Sequence, residues 1–185
     1  MKIKLHNNDL PRDVKIYKSV AIDTETMGLN PLRDRLCLVQ LSSGNDVCHL
    51  VKIKSKPSMP KNLINILKNK KILKIFHFAR FDVAVLKHNF KIDINNIYCT
   101  KIASKLARTF TDKHGYKDLC KELLDIQISK TEQTTDWGKI KLTLAQQKYA
   151  ATDVLHLHKI KDELNKILKR ENRTELANAC FDFIK

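Results

Sequence analysis

Hydrophobic residues in the first third of the chain fall into three short runs that are dense in Val, Ile and Leu. Turn-prone segments that contain Gly, Asn, Pro and Asp separate the runs. The runs read SVAIDTE, RLCLVQLSS and VCHLVKI, and the turns between them read GLNP and SGND. This alternation predicts three consecutive antiparallel strands.

Helical spacing replaces the strand pattern farther along the chain. After a predicted surface loop at 52–62, NLINILKN predicts a helix, ILKIF a fourth strand, and FDVAVLKH the helix that follows that strand. KIASKLAR and YKDLCKELL predict two more helices. Apolar residues then recur every three or four positions from Thr143 to about Glu171, which predicts one long amphipathic helix. This order predicts an α/β fold with a mixed sheet flanked by helices.

Length and composition fit a single domain. The 185 residues are 43% hydrophobic, enough for one sizeable core, and no Gly/Ser-rich linker divides them. The amino terminus lacks the apolar stretch of a signal peptide, and no run of about 18 apolar residues occurs. Five scattered cysteines without a CxxC pair favour reduced thiols over disulfides or a zinc site. We therefore expect a soluble cytoplasmic protein that does not contact membranes.

The formal net charge of +15 suits a polyanionic partner, because clustered Lys and Arg attract phosphate backbones. Arg nevertheless supplies only seven of the 35 basic residues. An AT-rich genome would also produce this abundance of Lys, Ile and Asn. Charge alone leaves a nucleic-acid partner and an ordinary basic surface equally open.

Two carboxylates stand at the end of the first predicted strand. Asp23 and Glu25 are two positions apart in AIDTET, so they project from the same face of a strand. Like charges this close repel each other unless a cation lies between them. The pair indicates either a metal site or a solvated strand end.

Two further acids can join this pair. Asp82 opens the helix after the fourth predicted strand, where a carboxylate also favours the positive end of the helix dipole. Tyr149 and Asp153 lie four residues apart in YAATDV, on one face of the long helix. Four convergent carboxylates could hold two Mg²⁺ ions about 4 Å apart and activate water for attack on a phosphodiester. Mn²⁺ could replace Mg²⁺ in such an oxygen-rich site.

The segments AIDTET, HFARFDVAVL and YAATDV resemble, in order and spacing, the three exonuclease motifs of the DEDD superfamily, in its tyrosine-bearing branch. HGYKDLCKELLDIQISKTEQTTDW is similar to a stretch of ribonuclease D proteins, and DTETMGLNPLRDRLCLVQLSSG resembles the short nanoRNase C group. The resemblance implies an RNase H-like fold and 3′→5′ hydrolysis of short single-stranded RNA, down to dinucleotides, to nucleoside 5′-monophosphates. It also implies a homo-oligomer such as an octameric ring.

The same resemblance implies separate roles for the motif residues. Asp23 would bridge both metal ions. Glu25 and Asp153 would hold the ion on the side of the attacking water, and Asp82 would serve the other ion. Tyr149 would orient that water or help to deprotonate it.

Residues in and just after the first motif are candidates for substrate binding. Met27 and Leu29 would lie against the terminal bases, in the manner of the apolar wedge of this superfamily, unless they pack in the core. Thr24, between the first two acids, is a further candidate.

Polar and aromatic residues elsewhere complete the predicted substrate site. His77 and Arg80 could contact phosphate, although a structural role for His77 is equally open. Lys130 could contact the substrate backbone, although most lysines in such a chain are simply solvated. The lone Trp137 either stacks on a base or fills the core.

Three functions stay open on the sequence. The leading one is a 3′→5′ exoribonuclease, and the second applies the same chemistry to DNA ends. The third is an inactive nucleic-acid-binding module, which would be expected to lack one of the five motif residues that are all present here. Since the chain ends at Lys185, we expect one exonuclease domain over residues 1–185, without a further helical RNA-binding domain.

Overall fold

The computed structural model describes residues 1–55, 58–128 and 135–184. Within these ranges the chain forms six strands and seven helices. The strands are β1 (Lys2–Asn7), β2 (Ser19–Thr26), β3 (Leu36–Ser42), β4 (Val47–Lys52), β5 (Leu73–Phe76) and β6 (Ile97–Cys99). The helices are α1 (Lys61–Lys68), α2 (Ala79–Phe90), α3 (Thr100–Ala107), α4 (Tyr116–Leu124), α5 (Leu144–Leu155), α6 (Leu157–Arg170) and α7 (Thr174–Asp182).

The strands form one mixed sheet in the order β1-β4-β3-β2-β5-β6. Strand β3 pairs antiparallel with both β2 and β4, which confirms the predicted run of three antiparallel strands. The other three pairs, β1 with β4, β2 with β5 and β5 with β6, are parallel. Helices flank this sheet, so the predicted α/β class is confirmed as well.

Strand β3 lies at the centre of the core, and every one of its residues is buried. A nearly continuous apolar run is typical of a strand that is covered on both faces. Helix α5 packs against β2, β3 and β4, and helix α2 packs against β2, β3, β5 and β6. These two helices carry the second and third motifs, so their packing brings those motifs to strand β2.

The predicted long helix from Thr143 to Glu171 is wrong, because the chain forms two helices that are separated at His156. In a continuous helix the N–H of His156 would pair with the carbonyl of Thr152. Instead, this N–H donates to the hydroxyl of Tyr116 at 3.3 Å, and that hydroxyl donates to the Thr152 carbonyl at 2.6 Å. A side chain from α4 therefore interrupts the helical ladder, and no periodicity within the helix could predict this.

The cysteines and the helices relate to two predictions from the sequence, that the thiols are reduced and that the protein does not contact membranes. All five cysteines are free, and only Cys180 is not fully buried. Among the helices that the structure describes, none is both long enough and apolar enough to cross a bilayer.

Candidate active site

Three carboxylates from two elements converge in one cleft. Asp23 and Glu25 lie on β2, Asp153 lies in the last turn of α5, and one oxygen of each lies within 4.8 Å of the others. The cleft has a volume of about 340 Å³ and is also lined by Tyr149 and His77. The first and third motifs, more than 120 residues apart in the sequence, thus meet as predicted.

Asp82 occupies the first turn of α2 and is buried beside this group. Its Oδ1 accepts a 2.7 Å hydrogen bond from the hydroxyl of Thr24. Burial, together with repulsion from Asp23, raises the pKa of Asp82 well above its usual range. Asp82 therefore lies close enough to Asp23 for their charges to repel each other. Its oxygens are nevertheless not among the three, from Asp23, Glu25 and Asp153, that lie within 4.8 Å of one another.

Burial raises the pKa values of both acids on β2, because it disfavours their charged forms. Burial raises the pKa of Asp23 to about 7. Burial, with added repulsion from the neighbouring acids, raises the pKa of Glu25 to about 10. A cation among these oxygens would favour the ionised forms and offset the repulsion. Their donor chemistry, carboxylate oxygens alone, is the type that hard divalent ions prefer.

Gln40 on β3 links the two acids of β2, and sequence reasoning missed it. It pairs with Asp23 across the strands. Its side-chain nitrogen donates to Oδ2 of Asp23 at 3.2 Å and to Oε1 of Glu25 at 3.4 Å, and the residue is fully buried. The available signal was a polar residue inside the apolar run LCLVQLS, because a buried amide needs partners.

Tyr149 is half-buried, and its hydroxyl shares a hydrogen bond with Asp153 one turn later in α5. Burial and the nearby carboxylates raise the pKa of Tyr149, so its phenol is neutral at neutral pH. The centres of the Trp137 and Tyr149 rings lie 6.0 Å apart, and Trp137 is only 3% exposed. This burial favours the packing role of Trp137 over stacking on a base.

The apolar residues after the first motif are exposed. Met27 is 53% exposed and Leu29 is 85% exposed, which excludes core packing for both. Thr24, by contrast, is buried, and its hydroxyl is engaged with Asp82. Thr24 nevertheless lines the cleft, whereas the side chains of Met27 and Leu29 are largely open to solvent.

The candidates near the second motif differ in accessibility. His77 lines the cleft, and its Nδ1 lies 2.9 Å from the hydroxyl oxygen of Thr100. Arg80 is exposed in the first turn of α2. Lys130 lies outside the described residues.

Three further residues that line the cleft were missed from the sequence. Phe78 is 44% exposed with φ of 66°, a left-handed backbone that is uncommon for an aromatic residue. The ammonium of Lys101 lies 4.3 Å from the centre of the Phe78 ring, and Lys117 lines the same cleft. In so Lys-rich a chain, nothing in the sequence singles out these two lysines.

Comparison with known proteins identifies the family. The sequence model of a 3′-5′ exonuclease family matches residues 4–169, which include all five motif residues. Ribonuclease D of Nitrobacter hamburgensis is 29% identical over 157 residues, and that of Bartonella henselae is 32% identical over 155 residues. These alignments cover 85% and 84% of this chain but 41% and 38% of the relatives. The chain thus spans about two fifths of the length of these relatives.

Solved structures agree with this assignment. Brucella melitensis NrnC with bound Mg²⁺ is 50% identical, with a TM-score of 0.95, and the match covers 100% of this chain and 90% of that one. The same protein bound to pGG is 51% identical, with a TM-score of 0.96 and the same coverage. Escherichia coli RNase D, at 23% identity, has a TM-score of 0.81 over 91% of this chain and 44% of that chain, and it shows the fold alone.

The fold and the motif resemblance expected from the sequence are both confirmed by these matches. The sheet and its flanking helices form the RNase H-like arrangement of these nucleases. The chain therefore belongs to the 3′-5′ exonuclease family and is of the ribonuclease D and NrnC type.

Proposed function

We propose that this protein is a metal-dependent 3′→5′ exoribonuclease that hydrolyses short single-stranded RNA to nucleoside 5′-monophosphates. The observation that carries the proposal is the convergence of oxygens from Asp23, Glu25 and Asp153 within 4.8 Å. Such a set of hard oxygen donors suits Mg²⁺, and Mn²⁺ can replace it.

Two Mg²⁺ ions would be held by the four acids. Asp23 would bridge both ions, because it lies next to the other members of the group. Glu25 and Asp153 would hold the ion beside the attacking water, and Asp82 would serve the other. When bound, the ions would lower the pKa of a coordinated water and neutralise charge on the phosphate and the leaving oxygen.

The residues of the chain orient the reactants for hydrolysis of the last phosphodiester. Tyr149 would keep its phenol proton in the hydrogen bond to Asp153, and its oxygen would accept from the attacking water and orient it. The water oxygen forms a new bond to phosphorus while the bond from phosphorus to the 3′ oxygen breaks. The water loses a proton to solvent, and the 3′ oxygen gains one. The products are a nucleoside 5′-monophosphate and a chain that is shorter by one nucleotide and ends in a 3′ hydroxyl.

Exposed apolar residues just after the first motif would suit a short substrate. Leu29 and Met27 offer exposed apolar surfaces to the terminal bases. His77, which lines the cleft, and Arg80, which is exposed at the start of α2, would contact phosphate, and Lys101 would add a positive charge at the cleft wall. The Brucella melitensis relative has been solved with pGG, and we extend this class of ligand to the present chain.

Hydrolysis of labelled oligonucleotides tests the proposal. A 5′-labelled RNA ladder, from the dinucleotide to about 20 nucleotides, and a matched DNA ladder are incubated with Mg²⁺, Mn²⁺ or EDTA. Asp153→Asn serves as the matched inactive control. Stepwise, EDTA-sensitive loss from the 3′ end that is fastest on the shortest RNA supports the proposal.

Two other outcomes of this experiment point to different functions. If DNA is cleaved as fast as RNA, the enzyme acts on both polymers. If DNA is cleaved faster, DNA ends are its main substrate. No cleavage of either polymer, with binding retained, would indicate the inactive nucleic-acid-binding module.

We also propose a homo-oligomer in the form of a ring, by similarity to the nanoRNase C group. Several large apolar side chains are open to solvent, among them Phe110 at 80%, Ile140 at 92% and Phe183 at 92% exposed. Burial of such side chains between subunits would remove apolar surface from water. Light scattering after size exclusion should give a mass several times 21.4 kDa. A monomer at all concentrations would contradict this.

A cytoplasmic location is proposed as well. The five free thiols suit a reducing compartment, since secreted proteins tend to oxidise such cysteines. Fractionation of cells that express a tagged chain tests the location, and recovery outside the cytoplasm would overturn it.

A further inference from the structure

The hydroxyl of Tyr116 lies inside the break between helices α5 and α6. It donates to the carbonyl of Thr152 at 2.6 Å and accepts from the N–H of His156 at 3.3 Å. Tyr116 is the first residue of α4, so the two hydrogen bonds tie a different helix to the end of α5. A single side chain thus satisfies both groups that the helical ladder leaves open at this point.

The tied segment contains the third motif. Asp153 directly follows Thr152 and stands in the last turn of α5, which ends at Leu155. Carbonyls in the last turn of a helix lack partners within the helix, and such turns fray unless another group holds them. The Tyr116 hydroxyl supplies that group one residue before Asp153. The contact therefore holds the backbone of the turn that carries Asp153.

Tyr116 is also placed to act on the cleft rather than only on the fold. Its ring lines the cleft, and its centre lies 5.8 Å from that of His77. Burial raises the pKa of Tyr116 well above its usual value, and the charge of Asp153 contributes to this shift. The hydroxyl therefore keeps its proton and remains a donor to Thr152.

We infer that Tyr116 is a positioning residue for the nuclease site, with its hydroxyl holding the last turn of α5 so that Asp153 faces the acids of β2. The inference rests on the proposed metal-dependent nuclease function and deepens it. Tyr116 itself contacts neither the metal nor the scissile phosphate in this assignment. Its effect passes through the backbone of Thr152.

The test compares Tyr116→Phe with Tyr98→Phe. The first variant removes the hydroxyl and keeps the ring. Tyr98 is a suitable control, because its hydroxyl also donates a hydrogen bond, to Asn165 of α6 at 2.8 Å, in a different cavity from the nuclease cleft. Mn²⁺ affinity is measured by electron paramagnetic resonance without substrate, and kcat and KM are measured on a dinucleotide.

Loss of a group that orients a metal ligand typically lowers metal affinity or activity by about 10- to 100-fold. We expect Tyr116→Phe to weaken Mn²⁺ binding and lower kcat within this range, with KM within about twofold of the unmodified protein. Tyr98→Phe should change neither Mn²⁺ affinity nor kcat. Both variants should lose a similar few degrees of Tm, since each removes one hydrogen-bonded hydroxyl.

Other outcomes overturn the inference in distinguishable ways. Unchanged Mn²⁺ affinity with a raised KM would make Tyr116 a substrate contact. Equal losses of Mn²⁺ affinity in both variants, or a loss in neither, would assign Tyr116 a role in folding alone. If the unmodified protein neither binds Mn²⁺ nor cleaves RNA, the proposed function fails and the inference fails with it.

Discussion

The hydroxyl of Thr24 donates a 2.7 Å hydrogen bond to Oδ1 of Asp82, and both side chains are buried. This bond joins strand β2 to the first turn of helix α2. Thr24 stands between Asp23 and Glu25, so one short segment supplies two candidate metal ligands and orients a third acid. The contact favours a positioning role for Thr24 over the contact with substrate that was predicted from the sequence.

Replacing Thr24 by Val removes this hydrogen bond with little change in shape. Asp82 would lose the donor that fixes its carboxylate, so kcat should fall by about 10- to 100-fold with little change in KM. Thr24→Ser keeps the hydroxyl and should retain most of the activity. Steady-state kinetics on a dinucleotide decide the matter, and equal activity of the two variants would show that the hydrogen bond has no role.

Replacing Asp23 by Asn should abolish hydrolysis and leave the fold intact. The carboxylate would no longer bridge the metal ions, and activity should fall by at least about 1,000-fold. Without metal, however, the variant should be as stable as the unmodified protein or more stable, because one of several buried, mutually repelling acids is gone. Activity and thermal unfolding in EDTA are measured side by side. Activity near that of the unmodified protein would exclude the metal assignment.

Mg²⁺ should stabilise the folded protein, because its ligands are assembled only in the fold. At about 100 times its dissociation constant, a ligand adds about 2.7 kcal/mol to the free energy of unfolding. For a chain of this length, this corresponds to a rise in Tm of roughly 5–10 °C. Glu25→Gln should lose most of the rise, and EDTA should reverse it. A Tm that Mg²⁺ leaves unchanged in the unmodified protein would contradict the metal site.

Leu29→Ala tests the proposed apolar contact between the segment after the first motif and the substrate. Because Leu29 is 85% exposed, its removal should not change Tm. If its side chain contacts a terminal base, KM for a dinucleotide should rise by about 10-fold or more, the equivalent of burying one Leu. Leu32, 75% exposed in the same loop, is the matched control. Equal KM values for Leu29→Ala and Leu32→Ala would remove Leu29 from the substrate site.

The histidine pair on strands β1 and β4 should make stability depend on pH. Nε2 of His6 lies 2.9 Å from Nδ1 of His49, and burial lowers the pKa of His49 to about 4 from 6.5. Between these values the unfolded chain binds a proton that the folded one resists, so stability should fall as the pH drops from 6.5 to about 4. His49→Gln should show a shallower fall in Tm over this range. An equal fall of Tm with pH in His49→Gln and in the unmodified protein would contradict a lowered pKa of His49 as the cause.

The sequence predicted the parts of this molecule that depend on local patterns. The apolar runs of β2, β3 and β4 carry their own periodicity, and the antiparallel order follows from the short turns between them. Asp23, Glu25 and Asp153 were expected to converge because the strand end and the helix face fixed their directions. The structure brings their oxygens together.

Other features depend on contacts between distant segments. Strand β1 reads KIKLHN and is largely exposed, and the alternation of Ile3 and Leu5 with polar residues is too short to predict its pairing with β4. Lys74 in the predicted strand ILKIF is fully buried, and its ammonium donates to the carbonyls of Asn69, Ile72 and Asn95. Such partners become visible only once the chain is folded, as they do for Gln40 and Tyr116.

The most direct test of the central claim follows the oxygen of the attacking water. A trinucleotide is digested in H₂¹⁸O with Mg²⁺, and the released mononucleotide is analysed by mass spectrometry, with Asp153→Asn and EDTA as controls. We predict one ¹⁸O atom in the 5′-phosphate of a mononucleotide released from the 3′ end, and none in either control. A 3′-phosphate or cyclic phosphate product, or release that persists in EDTA, would contradict metal-dependent 3′→5′ hydrolysis by these carboxylates.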